Sequence, residues 1–149
     1  MKPFWPGKSS QKNGKWTSMH IETDKKTVEK SQQETFDFLS DISNFEQLMP
    51  DSLQKFEVLA EDTFRFGLSG MPEIVLKLKE RTAYDKVVLG AASDKLPFTL
   101  TAHITALSEN SSEVQLSFAG EFNAMMAMMI KTPITNFIEA LSGNLSKIA

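Results

Sequence analysis

From Leu53 to Phe122 the sequence alternates apolar and polar residues with a period of two, and this constrains the fold more than any other feature. Phe56 and Val58 alternate with Lys55 and Glu57. Phe64, Phe66 and Leu68 alternate with Thr63, Arg65 and Gly67. Ile74, Leu76 and Leu78 alternate with Val75, Lys77 and Lys79. Phe98, Leu100, Ala102, Ile104 and Ala106 alternate with Thr99, Thr101, His103 and Thr105. Val114, Leu116 and Phe118 alternate with Glu113, Gln115 and Ser117. Turn signals separate the runs: Ser69-Gly70-Met71-Pro72, Tyr84-Asp85-Lys86, Ser93-Asp94-Lys95 and Asn110-Ser111-Ser112. Connections this short make hairpins, hence an antiparallel meander with one apolar face. Such a face needs a cover.

The C-terminal segment supplies one. Ile134, Phe137, Ile138, Leu141, Leu145 and Ile148 recur at three- and four-residue spacing, the stripe of an amphipathic helix. Upstream, His20 to Val28 reads as a first strand. Ser31 and Glu34 form a capping box for a helix carrying Phe36, Phe38 and Leu39. Ser43 and Glu46 suggest a second box before Phe45 and Leu48, and Pro50 stops that helix. The expected class is α+β.

Four of the eight methionines fall together: Met125, Met126, Met128 and Met129. On one ideal helix of residues 124–148, at about 100° per residue, Met126 and Ile130 extend the apolar stripe. Met125, Met128 and Met129 point elsewhere. Pro133 lacks the N–H that would bond the Met129 carbonyl and crowds that turn, at a cost of about 3 kcal/mol. A kink or break near Lys131–Pro133 is expected, after a Met-rich turn capped by Asn123. Methionine adapts to irregular apolar partners, so the cluster is either core filling or the lining of an apolar site.

The 149 residues suit one domain, assigned to 19–149, with a basic arm at 1–18. The arm carries Lys2, Lys8, Lys12 and Lys15 and no acid. That leaves 12 basic against 19 acidic residues in the remainder, or −7. An acidic body argues against nucleic acid as a partner. Phe4, Trp5 and Trp16 are the arm's candidate anchors, on the body or on a second copy. The absence of cysteine excludes disulfides and thiolate-ligated zinc. No apolar run reaches the length of a membrane span and no secretory signal is present, so a cytoplasmic location is the default.

The order strand, two short helices, meander, long C-terminal helix is the helix-grip arrangement. The stretch Glu34-Thr-Phe-Asp-Phe-Leu-Ser-Asp41 with Asn44-Phe-Glu-Gln-Leu-Met-Pro50 resembles the opening of the START-like, birch-pollen-allergen-like (SRPBCC) superfamily. Gly120-Glu-Phe-Asn-Ala-Met-Met with Pro133-Ile-Thr-Asn-Phe-Ile-Glu-Ala-Leu is similar to the closing helix of its small bacterial members. The resemblance spans residues 19–149. It implies a cavity between a curved sheet and the C-terminal helix. Members bind lipids, sterols, polyketides, quinones or plant hormones; some are cyclases or hydratases, and others bind proteins. No catalytic motif of the superfamily carries over to residues of this chain.

The resulting expectation is non-catalytic binding of a hydrophobic small molecule, with no cofactor or metal. Phe66, Leu76, Leu78, Tyr84, Phe98, Leu100 and Phe118 would line the sheet side, and Met126, Met129, Ile130 and Phe137 the helix side. Two alternatives stay open. Glu80, Thr82 and Tyr84 continue the phase of Ile74, Leu76 and Leu78. Under strict alternation they face the cavity, where a buried Glu80 could serve a cyclase- or dehydratase-type enzyme together with Tyr84. A bulge would instead turn Glu80 outward. In the third reading the core is filled, and the arm or the methionine cluster packs on a partner or on a second copy. His20 and His103 are expected at the surface, with Arg65 and Arg81 on the outer side.

Overall fold

The computed structural model describes residues 16–92 and 97–148. The expected anchors Phe4 and Trp5, the arm lysines and the Ser93-Asp94-Lys95 turn lie outside the described residues. The elements are β1 Trp16–Glu22, β2 Lys26–Val28, α1 Gln32–Ser40, a short 3-10 helix Ile42–Leu48, β3 Leu53–Ala60, β4 Thr63–Leu68, β5 Ile74–Thr82, β6 Lys86–Ala91, β7 Phe98–Ser108, β8 Ser111–Asn123 and α2 Ala124–Leu145. The strands form one antiparallel sheet in the order β1, β8, β7, β6, β5, β4, β3, with β2 also on β8. The two helices and the 3-10 turn cover its apolar face. This is the helix-grip α+β architecture.

Where the first strand was expected as one run, β8 carries two short partners. Thr23 interrupts them and is buried. Its N–H donates to the Leu116 carbonyl (3.0 Å), and its Oγ1 accepts the Leu116 N–H (3.1 Å). A side-chain oxygen thus stands in for a ladder carbonyl and lets the chain step across β8. The strand also starts at Trp16, earlier than its hydropathy suggests, because pairing with Phe122 and Asn123 stabilises residues with no alternation of their own.

The Ser31–Glu34 capping box is present: Ser31 Oγ accepts from Glu34 N–H (3.1 Å) and Glu34 Oε1 from Ser31 N–H (3.0 Å). The second box is not. Asp41 caps the 3-10 helix by accepting from both the N–H and the hydroxyl of Ser43. An aspartate two residues ahead competes successfully because its carboxylate reaches two donors at once.

The expected break at Pro133 is absent as well. Residues 124–145 are one continuous helix with Pro133 inside it, capped by Asn123, whose Oδ1 accepts from Met126 N–H at 2.8 Å. The carbonyl that Pro133 leaves without a helical donor belongs to Met129, an exposed residue where water can take it. Ile134, Phe137, Ile138, Leu141 and Leu145 then bury the helix against the sheet. Their burial stabilises by roughly 10 kcal/mol before entropy is counted, several times the local cost of the proline. At the far end, Asn144 Nδ2 donates to the Leu48 carbonyl (2.8 Å), tying α2 to the 3-10 helix.

Alternation places most of the sheet as expected. Phe64, Phe66, Leu76, Leu89, Leu100, Ile104, Val114, Leu116 and Phe118 are all buried. Val58 is an exception at 48% exposure. It lies on the edge strand β3, beyond the reach of α2, which packs on β8, β1, β2 and the 3-10 helix. Ala106 is exposed for a similar reason, near the tip of the β7–β8 hairpin.

Candidate functional site

The concave side of the sheet is filled by aromatic rings. Phe45 stacks on Phe64 (centroids 5.6 Å), Phe64 on Phe66 (5.9 Å) and Phe66 on Phe137 (5.0 Å). This ladder joins the 3-10 helix through β4 to α2. Beside it, between Leu39, Leu48, Leu89, Leu100, Leu116 and Leu141, about 10 Å³ of free space remains. A single water needs about 10–15 Å³, so the interior is packed. The residues expected to wall a cavity are brought together here, but on one another: Phe66, Leu76, Leu100, Phe118, Ile130 and Phe137 are core. Leu78, Phe98 and Met126 pack on its margin. Phe98 lies against Phe118 (5.2 Å), near the sheet's β1 end.

Two expected site residues fall outside this cluster. Tyr84 is 41% exposed and meets the edge of Phe36 (centroids 5.3 Å) from the β5–β6 turn. Met129 is 67% exposed. Glu80 is turned outward. Leu78 pairs with Leu89 but Glu80 pairs with Val88, so Lys79 is the extra residue of a bulge. The Lys79 side chain lies across Gly90, where a Cβ would meet it at 2.9 Å. Lys86 Nζ (3.1 Å) and the Thr82 hydroxyl (3.0 Å) bind the Glu80 carboxylate, and these bonds, Lys86 first, hold its pKa below the usual glutamate value. With Glu80 and Tyr84 in solvent, the acid–base site that strict alternation would create does not form. His20 and His103 are exposed, as expected. Among the described residues no cluster of His, Asp or Glu could hold a metal ion.

Open space lies beside α2 instead. A groove of about 420 Å³ runs between β1 and the first turns of α2. Met19, Ile21, Ala127 and Met128 give it apolar walls, with Thr17, Ser18, His20 and Lys131 at polar positions. Its origin is local. Ala124, Ala127, Met128 and Lys131 share one helix face by their three- and four-residue spacing. The two alanines on that face are too short to fill the gap to β1. Alternation does not mark this site, because Met19 and Ile21 look like ordinary core positions. The available signal was Ala124 and Ala127, small residues three apart among methionines. His20 Nε2 lies 3.3 Å from Ser117 Oγ. A second depression, about 270 Å³, flanks the other side of α2 at Leu68, Met71, Pro133 and Phe137.

No protein-family profile matches the sequence, and a search of curated proteins finds no match. The fold, by contrast, recurs widely among solved structures. Truncated norcoclaurine synthase from Thalictrum flavum superposes with a TM-score of 0.70 at 12% identity, covering 90% of this chain and 94% of that one. A START superfamily protein from Mycobacterium smegmatis gives 0.59 at 14% identity, covering 91% and 100%. The di-domain ARO/CYC protein BexL, from the BE-7585A biosynthetic pathway, gives 0.58 at 12% identity, covering 85% of this chain and 46% of that one. Identities this low carry the fold alone.

Proposed function

We propose that this chain, a START-like helix-grip protein by its fold, binds an apolar small molecule with one acidic or polar end, without converting it. The proposed site is the groove between β1 and α2 at the open flank of the sheet. The carrying observation is the groove's apolar lining beside a lysine, in a chain whose interior leaves only about 10 Å³ free. Pockets for small ligands run to about 300–1,000 Å³, mostly apolar with a few placed polar groups. Here the apolar walls come from Met19, Ile21, Ala127 and Met128, and Lys131 offers a cation to an acidic head group. The unbranched Met128 can refit its wall to ligands of different shape.

The packed interior also favours a second reading, a module that binds another protein. Displacement of a fluorescent fatty acid from the full-length protein separates the two. Ala127→Trp fills the groove and should weaken binding at least tenfold, about 1.4 kcal/mol, with circular dichroism unchanged. Lys131→Gln should weaken an acidic probe but not its neutral alcohol. Equal binding by Ala127→Trp and wild type would overturn the groove site, and no binding by the wild type would favour the protein module.

A further inference from the structure

We infer that Met128 is an oxidation site, at which a peroxide reversibly lowers the groove's affinity for its apolar ligand. The inference rests on the groove proposed above. Met125, Met128 and Met129 are 73%, 83% and 67% exposed, whereas Met19 and Met49 are 8% and 7% exposed. A peroxide must reach the thioether sulfur, so its attack follows exposure. The spacing i, i+3 and i+4 puts the three exposed sulfurs on one side of α2. Of these three, Met128 is the one that lines the groove. The chain has no cysteine, so no thiolate of its own consumes the oxidant first.

The step balances simply. The Met128 sulfur attacks one oxygen of the peroxide. An S–O bond forms and the O–O bond breaks. The proton on the transferred oxygen passes to the departing hydroxide, which leaves as water. Sulfur is oxidised and the peroxide is reduced. A methionine sulfoxide reductase reverses the change at the expense of two thiols, which become a disulfide while the oxygen leaves as water.

The consequence falls on the groove for two reasons. First, Met128 shares the apolar wall with Met19, Ile21 and Ala127. Its sulfoxide is polar, and an apolar ligand pressed against it would bury an oxygen without a partner. Second, Lys131 lies three residues on, lining the same groove on the same helix face. A sulfoxide oxygen on Met128 can accept a hydrogen bond from the Lys131 ammonium and so competes with an acidic ligand end. Both effects weaken binding. The fold tolerates the change, because Met128 buries little of its own surface while Ala127, Ile130 and Ile134 hold the helix to the sheet.

The test treats the full-length protein with hydrogen peroxide, maps oxidised methionines by peptide mass spectrometry and titrates a fluorescent fatty acid. We expect Met125, Met128 and Met129 to oxidise before Met19 and Met49. The treated protein should bind the probe about tenfold more weakly, with circular dichroism unchanged. Methionine sulfoxide reductase with dithiothreitol should restore binding. Met128→Leu, whatever its own starting affinity, should keep it after peroxide, whereas Met125→Leu/Met129→Leu should remain sensitive. The inference is overturned if Met128 oxidises no faster than Met19, or if protein carrying the Met128 sulfoxide binds like untreated protein. Equal loss in Met128→Leu, or a loss of helical signal on treatment, overturns it too. If untreated protein binds no probe, the groove itself fails and the switch with it; binding that peroxide leaves intact sinks the switch alone.

Discussion

Gly120 on β8 pairs with Phe98 of β7, and the ring of Phe122, two residues on, folds back beside it. A Cβ there would stand 2.6 Å from Phe98 Cβ and 3.0 Å from both the Phe122 ring and the Pro97 carbonyl. Two of these obstacles are backbone or near-backbone atoms and cannot swing away. Gly120→Ala should therefore destabilise by about 1–3 kcal/mol, read as a lower midpoint in urea unfolding. An unchanged midpoint would mean that the β7–β8 pair shifts freely. Glu80 makes the complementary case. Its alternation phase matched the inward positions of β5, and one inserted residue, Lys79, reversed it. No sequence mark announces a bulge of this kind. Gly90 opposite was the nearest hint, since a strand glycine often marks where another group approaches closely.

At the scale of elements, α2 carries both the cover of the sheet and the candidate sites. Its apolar stripe was legible from residue 134 onward and holds in the structure through Leu145. The separate directions of Met126 and Ile130 and of Met125, Met128 and Met129 were also legible, because a helix has a fixed angular step. The continuity of the helix through Pro133 was not. Local propensity counts the missing hydrogen bond but not the burial on either side that outweighs it. Pro133→Ala restores a donor for the Met129 carbonyl and should raise stability by about 1–2 kcal/mol, less than the full propensity difference because proline also restrains the unfolded chain. Thermal unfolding checks this; a lower Tm would show that the ring's packing beside Phe137 matters more than the helix bond.

For the whole molecule, the exposed acids link stability to pH. Glu34, Glu57 and Glu80 all have pKa values below the ordinary glutamate value. The Ser31 backbone N–H is the main cause for Glu34, the Arg65 hydrogen bond for Glu57 and the Lys86 hydrogen bond for Glu80. Protonation is harder folded than unfolded. Their contribution is thus complete above the unfolded value, about 4.3, and is lost as pH falls through the lower folded values. Tm should be flat above about pH 5 and decline below about pH 4. The variant with glutamine at all three positions should decline less steeply; an equal slope would assign the acid sensitivity to other carboxylates.

The alternation of the sheet, the stripe of α2, the first capping box and hence the helix-grip order can all be read along the chain. These features depend on the backbone periods of strand and helix, which are properties of neighbouring residues. That the Phe45–Phe64–Phe66–Phe137 ladder packs the concave side, and that a groove opens beside β1, emerges only where the elements meet in three dimensions. Whether apolar faces enclose a cavity or interlock depends on side-chain volumes brought together from distant parts of the chain. A difference of a few methylene groups across that interface is invisible to any pattern read along one strand or one helix.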